Sequence, residues 1–281
     1  MTNFAEDLCP LIYLDTNVLS RFRSRKLDWS QMRMAFSEAH LADLANSRDP
    51  LGELRFLKAN NSVFLSVEDD VVRRRATDPI KLFGELDLSL TGAIAPLISF
   101  FAGGGSDRSA HEAMVTHLEA ILPNVDVKGL VAQIWDNEAV VTNRQIEQQI
   151  DKGSKNVANI EEFGLTSWAE TLGLEKSEAQ KIISDDQPKF SDIYAAMLTL
   201  GMIGVGSAKG IRARSDKKSF SVAKREHVDA LHAAFSFHCQ IMITADMPML
   251  RRMNVLKEHW GIGTHLWAYD IKTQKVILDP H

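Results

Sequence analysis

The sequence contains little cysteine: only Cys9 and Cys239 among 281 residues. Two cysteines cannot build a disulfide framework of several bridges or a zinc site with four thiolates. The N-terminal segment shows neither the basic nor the apolar region of a secretory signal. We therefore expect a soluble, cytoplasmic protein in a reducing compartment, without disulfides or a zinc cluster.

A long apolar run and a marked excess of one charge are also missing. The most apolar stretch, residues 92–102, contains Pro96 and is far shorter than the roughly 20 residues that span a bilayer. The chain carries 32 basic and 37 acidic side chains, a formal charge of −5, which gives no global reason to bind a polyanion. Its 45% hydrophobic and 25% charged residues are typical of a globular protein with no membrane segment.

Basic residues are nevertheless concentrated in a few places. Residues 209–225 hold seven basic side chains against Asp216 alone, and residues 21–26 and 73–75 form two shorter clusters. Such strips can bind a phosphate backbone. A solvated surface is the simpler interpretation of any single one.

Strand and helix patterns alternate at both ends of the chain. Short apolar runs are followed by polar turns and then by apolar residues at helical spacing. This alternation predicts an α/β fold, a three-layer sandwich with a mainly parallel sheet. We predict strands at residues 11–14, 33–36, 241–244 and 265–269.

The middle of the chain has a different pattern. Helical periodicity predominates from residue 61 to residue 209, which is too long for an ordinary connection. We predict a discontinuous domain formed by residues 1–60 and 210–281, with residues 61–209 as a mostly helical insertion. Helices are expected within it at residues 111–121, 130–150, 161–172 and 193–203.

Four aspartates follow or flank the predicted strands. Asp15 and Asp246 each come one or two residues after a strand, and ligands of open parallel sheets bind at the carboxyl ends of the strands. We expect Asp43 and Asp229 in the first turns of helices that lean over the same edge. Carboxylates so close raise one another's pKa unless a cation lies among them. Mg²⁺ or Mn²⁺ prefers such oxygen ligands, and no His/Cys cluster favours zinc.

Each aspartate also has a simpler interpretation. Asp15 could cap a helix, Asp43 could be solvated, Asp229 could favour the helix dipole and Asp246 could form a turn. The joint order of strand, helix, helix and strand, each with its aspartate, favours a common site.

Three segments resemble the PIN-domain ribonuclease family: LIYLDTNVLS, FSEAHLADL and HVDALHAAFSFHCQIMITADMPML. The resemblance covers about residues 8–60 and 210–270. Two features depart from the family pattern. The second and third acids are separated by a much longer segment than in compact members, and the second acid is Asp where Glu is more frequent. Asp15, Asp43, Asp229 and Asp246 match the four metal-site acids, while Asn17 and Thr244 match their hydrogen-bonding companions.

The resemblance implies a Mg²⁺- or Mn²⁺-dependent endoribonuclease that hydrolyses RNA phosphodiester bonds. It further suggests a toxin with an antitoxin partner, or a defence effector, and leaves a homo-oligomer open. A haloacid-dehalogenase-like phosphatase is disfavoured because Asn17 stands where that chemistry needs a second Asp. A non-catalytic PIN-like scaffold that binds RNA or protein is the alternative from another class.

Two histidines lie near the predicted acids. His232 follows Asp229 by three residues, so it could contact a phosphate or a metal-bound water. A buried, hydrogen-bonded histidine is the more common outcome for His232 and for His40.

Overall fold

The computed structural model describes residues 10–24, 33–85, 157–159, 188–202 and 216–278. Within these residues, eight strands form one sheet and seven helices accompany it. The strands are β1 (Leu11–Leu14), β2 (Arg33–Ser37), β3 (Val63–Glu68), β4 (Val71–Ala76), β5 (Val157–Asn159), β6 (Ile241–Thr244), β7 (His265–Asp270) and β8 (Lys275–Ile277). The helices are α1 (Thr16–Arg23), α2 (Glu38–Leu44), α3 (Pro50–Ala59), α4 (Pro79–Glu85), α5 (Phe190–Met202), α6 (Asp216–Ser236) and α7 (Met247–Trp260).

The centre of the sheet is parallel and its margins are antiparallel. The strand order is β4-β3-β2-β1-β6-β7-β8-β5, with parallel pairing from β3 to β7. Strands β4, β8 and β5 pair antiparallel to their neighbours. The predicted α/β class is thus confirmed. The sheet is mixed, with four parallel and three antiparallel pairings among the described strands.

Both faces of the central strands β1 and β6 are buried. Along β1, Leu11 and Tyr13 contribute to one apolar cluster, while Ile12 and Leu14 contribute to the other. Helices α5, α6 and α7 supply the first cluster, and α1 and α3 supply the second. Because parallel strands covered on both faces are apolar throughout, the short runs in the sequence identify them. The layering is compatible with a three-layer sandwich.

Strands β1 and β6 are direct neighbours, as the alternating ends of the sequence predict. Ile12 pairs with Ile241, and Leu14 pairs with Ile243. The N–H of Asp15 continues this pairing by donating to the carbonyl oxygen of Ile243 at 2.9 Å. The two strands that carry Asp15 and Asp246 therefore end at the same edge.

The sheet extends beyond the predicted domain boundary at residue 60. Strands β3 and β4 form a hairpin through Asp69 and Asp70, whose φ angles are +51° and +64°. Two positive φ angles are what a two-residue hairpin turn needs, and Asp tolerates them better than most residues. Residues 63–76, and residues 157–159 at the opposite margin, thus form strands of the sheet within the segment predicted as mostly helical.

Other parts of the predicted insertion have mixed outcomes. Helix α5 confirms the helix expected at residues 193–203. The helices expected at residues 111–121, 130–150 and 161–172 lie outside the described residues. The division of the chain into domains stays a prediction. None of the helices in the described ranges is long and apolar enough to cross a membrane.

Candidate metal centre

The site lies where the order of the parallel strands reverses. From β1 the chain continues to β2 on one side, whereas β6 pairs on the other side. Such a switch point leaves a crevice beyond the carboxyl ends of the two strands. Asp15 directly follows β1, and Asp246 follows β6 after one intervening residue. The topology thus brings both residues to the crevice.

Asp15 is a buried carboxylate that its own helix does not use. It occupies the N-cap position of α1, yet its side chain makes no capping hydrogen bond. The residue is 5% exposed, and its Oδ2 accepts a hydrogen bond from Thr244 Oγ1 at 2.9 Å. Burial raises the pKa of Asp15, and the charges of Asp43 and Asp246 add to this effect. The capping interpretation of Asp15 therefore fails.

Asp43 lies in the last turn of α2 rather than in a first turn, so that part of our prediction is wrong. Its Oδ2 accepts a hydrogen bond from His232 Nε2 at 3.1 Å, and its side chain is 37% exposed. Burial alone would raise the pKa of Asp43. The hydrogen bond and charge of His232, helped by the Thr16 hydroxyl, hold it below its usual value. Asp43 is thus a partnered carboxylate and not a merely solvated one.

His232 connects the site to the core. Its Nδ1 lies 2.9 Å from the Tyr13 hydroxyl, which lies 2.6 Å from Ser37 Oγ. His232, Tyr13 and Ser37 are all buried. Burial lowers the pKa of His232, but Asp43 and Asp15 outweigh it, so the net shift is upward. These buried hydrogen bonds fix the imidazole ring of His232 and direct its Nε2 towards Asp43 and Asp15.

Three side chains converge closely enough to share one ion. Asp15, Asp43 and His232 each offer one ligand atom, and these atoms lie within 4.8 Å of one another. Carboxylate oxygens suit Mg²⁺ and Mn²⁺, whereas imidazole is a common ligand of transition metals. The predicted ligand set contained aspartates only, and His232 was considered only for contact with a phosphate or a metal-bound water. Its position within ligand distance is an addition from the structure.

Asp229 is close to the acids but outside this group. It lies within α6, well past the first turn that we predicted for it. Its Oδ2 is 3.6 Å from Arg252 Nη2, and its side chain is 18% exposed. Burial raises the pKa of Asp229 well above its ordinary value, and the charges of Asp246, Glu226 and Asp15 add to this.

Asp246 also stands outside the group of three. One of its carboxylate oxygens accepts from the N–H of Met249 at 2.8 Å and caps α7. Its own N–H donates to Thr244 Oγ1 at 2.9 Å. The simpler interpretation of Asp246 as a local structural residue thus accounts for one of its oxygens. Thr244 therefore contacts both Asp15 and Asp246.

Asn17 does not contact the acids among the described residues. It is exposed on α1, where it lines a neighbouring cleft. The preceding residue contacts them instead, because Thr16 Oγ1 bonds to Asp43 and lies 3.5 Å from His232 Nε2. The companion role predicted for Asn17 is therefore taken by Thr16. The sequence contained a signal for this, because the hydroxyl residue Thr16 directly follows Asp15.

A buried ion pair supports the side of the site that holds Asp229. Arg252 Nη1 donates to Glu226 Oε2 at 2.8 Å, and both side chains are nearly inaccessible. Arg225 donates to the other oxygen of Glu226 at 2.7 Å. Helix α5 approaches this pair through Gly201, where a Cβ atom would lie 2.1 Å from Glu226 Oε2.

His40 has a structural role, as its simpler interpretation predicted. Its Nδ1 accepts from the N–H of Ser37 at 3.1 Å, so its Nε2 carries the proton and donates to the Leu14 carbonyl at 2.6 Å. Burial lowers the pKa of His40 to about 3. The neutral ring therefore connects the end of β1 with the start of α2 through hydrogen bonds.

The basic strip at residues 209–225 is described only in part. Residues 209–215 fall outside the described residues, and Arg225 is exposed but paired with Glu226.

Comparison of the chain with family models, with curated proteins and with solved structures gave no match. Function is therefore inferred from the geometry of the site and from the residues that form it.

Proposed function

We propose that the protein is a divalent-metal-dependent endoribonuclease with a PIN-like α/β sandwich. One observation carries the proposal. Ligand atoms of Asp15, Asp43 and His232 lie within 4.8 Å of one another at the edge where β1 and β6 end. The segments that resemble PIN-domain ribonucleases supply these residues, which is why RNA is the substrate we propose.

The donor set fits Mg²⁺ or Mn²⁺. Asp15 and Asp43 provide oxygen ligands, and the raised pKa values of Asp15 and Asp229 reflect burial and neighbouring negative charge. A cation would relieve both effects. When bound here, such an ion would acidify a water molecule and neutralise charge on the scissile phosphate.

The chain itself orients the groups that would hold the ion. Thr244 fixes one oxygen of Asp15, and the Tyr13–Ser37 pair fixes the ring of His232. His232 serves in either of two ways. With a proton on Nε2 it orients Asp43. Without that proton Nε2 would be free to bind the ion, and Nδ1–H could donate to the Tyr13 hydroxyl. Such outer partners are required to fix the geometry of a metal site.

Asp229 supplies a different property. Its raised pKa makes it accept a proton more readily than an ordinary aspartate, and Arg252 limits where its carboxylate can lie. This suits a group that exchanges protons with water or with a leaving oxygen. The biological role as a toxin with an antitoxin partner, or as a defence effector, belongs to the same proposal.

Cleavage of a mixed RNA pool tests the proposal. We expect the purified protein to cleave RNA with Mg²⁺ or Mn²⁺ and to stop in EDTA, while Asp15→Asn and Asp43→Asn abolish cleavage. Asp78→Asn is the matched control, because Asp78 is a half-exposed carboxylate that caps α4 and pairs with Lys58. Absence of cleavage with either metal would favour the scaffold alternative. Cleavage supported by Zn²⁺ alone would contradict the assigned ions.

A further inference from the structure

A polar cleft lies beside the candidate metal centre. It measures about 490 Å³ and is formed by α1, the segment after α2, and the start of α3. Asn17, Arg21, Arg23, Arg48 and Glu53 are among the residues that line it. Because three arginines face one concave surface, we call it the arginine cleft.

The charges of the arginine cleft do not cancel. Arg23 donates to Asp49 at 2.6 Å, so that pair is internally neutral. Glu53 is 3% exposed and accepts from Ser20 Oγ at 2.7 Å, which places it at the buried floor. Arg21 and Arg48 are exposed, and their side chains form no ion pair with another described residue. Counting Glu53, the cleft keeps a net formal charge of +1, and its two exposed cations are Arg21 and Arg48.

The arginine cleft is continuous with the acidic site along two stretches of chain. Asn17, which lines the cleft, directly follows Thr16, whose hydroxyl bonds to Asp43. Arg48 stands five residues after Asp43, beyond the end of α2. Arg21 and Arg48 thus lie on the two segments of chain that follow Thr16 and Asp43.

We propose that the arginine cleft binds the phosphodiester backbone of single-stranded RNA, with Arg21 and Arg48 contacting phosphates next to the scissile one. The acidic cluster repels a polyanion, so a substrate needs a cationic contact close by. Guanidinium groups bind phosphate oxygens in a bidentate manner. The choice of RNA depends on the proposed nuclease function, but the phosphate contact does not require cleavage.

Binding in EDTA tests the cleft without catalysis. Fluorescence anisotropy of a labelled single-stranded RNA is measured at several salt concentrations for Arg21→Gln/Arg48→Gln. We expect binding weaker by about tenfold at low salt, and a salt slope smaller by about 1.4, since each phosphate contact on a single strand contributes about 0.7. The matched control is Arg73→Gln/Arg74→Gln on edge strand β4, which should keep both values.

A second variant separates a phosphate contact from a fold defect. Arg21→Lys/Arg48→Lys keeps the charge, so it should retain most of the salt slope. An unchanged slope in the Gln pair, or an equal loss in the β4 control, would overturn the proposal. A Lys pair as defective as the Gln pair would also overturn it. Cleavage that persists with unaltered binding would refute the cleft alone, whereas weaker binding in a protein that never cleaves would refute the nuclease alone.

Discussion

Replacing Asp15 by asparagine removes a buried charge and keeps a side chain of the same size. Asp15 is 5% exposed, and the amide oxygen of asparagine can still accept the hydrogen bond from Thr244. Because burial raises the pKa of Asp15 in the folded protein, its charged form is less favourable there than in the unfolded chain. We expect the free energy of unfolding of metal-free Asp15→Asn to equal or exceed that of the wild type at pH 7.

The pH dependence follows from the direction of the shift. Above the raised pKa, the wild type carries a charge that disfavours the folded state. As the pH falls through that pKa, the folded carboxyl is protonated and the wild type regains this stability. The advantage of the variant therefore shrinks, and it vanishes below the ordinary value of 3.8, where both states are neutral.

The stabilisation by a bound metal ion should be smaller in Asp15→Asn than in the wild type, although the metal-free variant is at least as stable. An ion that binds only the folded state adds about 2.7 kcal/mol at a hundredfold excess over Kd. Unfolding entropy near 2.1 cal/mol/K per residue gives about 0.6 kcal/mol/K for 281 residues, so the melting temperature should rise by about 5 °C. Asp15→Asn removes one of three candidate ligands and should lose most of this rise.

Thermal melts with and without Mn²⁺ measure both effects. Wild type, Asp15→Asn and the half-exposed control Asp78→Asn are compared at pH 7 and at lower pH. The control should keep the full rise with Mn²⁺. A full rise in Asp15→Asn would refute the metal centre, and a clear loss of metal-free stability at pH 7 would refute the role assigned to its buried charge.

Three other substitutions or titrations test neighbouring features. Gly201→Ala should lower the free energy of unfolding, measured by urea denaturation, by about 2 kcal/mol, because its Cβ would displace the buried pair of Glu226 and Arg252. Ala usually stabilises a helix relative to Gly, so a gain in stability would contradict this prediction. His40 has a pKa of about 3, so NMR should find its ring neutral at pH 5 in the folded protein. Because the unfolded chain binds this proton near pH 6.5, the stability of the fold should decrease as the pH falls below 6.5. Titration of the folded ring near 6.5 would be contrary evidence. Asp246→Ala should cost about 1 kcal/mol and Asp246→Asn almost nothing, since Asn also caps; equal losses in urea would exclude the cap.

The central strands could be predicted because their residues are buried on both faces. The run Leu11–Leu14 is apolar throughout, and so is Ile241–Thr244 except for its final hydroxyl. The chain order then places Asp15 and Asp246 at one edge without further information. Strands β3, β4, β5 and β8 were not predicted, and the first three lie in the segment that we expected to be mostly helical. The arginines of β4 are exposed at the margin of the sheet and show no alternation.

Side-chain partners across long separations could not be predicted. His232 and Asp43 are 189 residues apart, and their contact depends on how α6 is rotated above β1. The same holds for the turn in which Asp43 lies, since α2 has only seven residues and a small shift moves every side chain around its axis. Local spacing identified the acids but could not identify the histidine that partners one of them.

The pairing of β1 with β6 has a consequence for synthesis of the chain. Asp15 and Thr244 are bonded across 229 residues, and at 5–20 residues per second a ribosome needs on the order of 10 to 50 s to pass from one to the other. Throughout that interval the emerging chain contains only the Asp15 half of the crevice. Translation itself thus delays the completed site until nearly the whole polypeptide has left the ribosome.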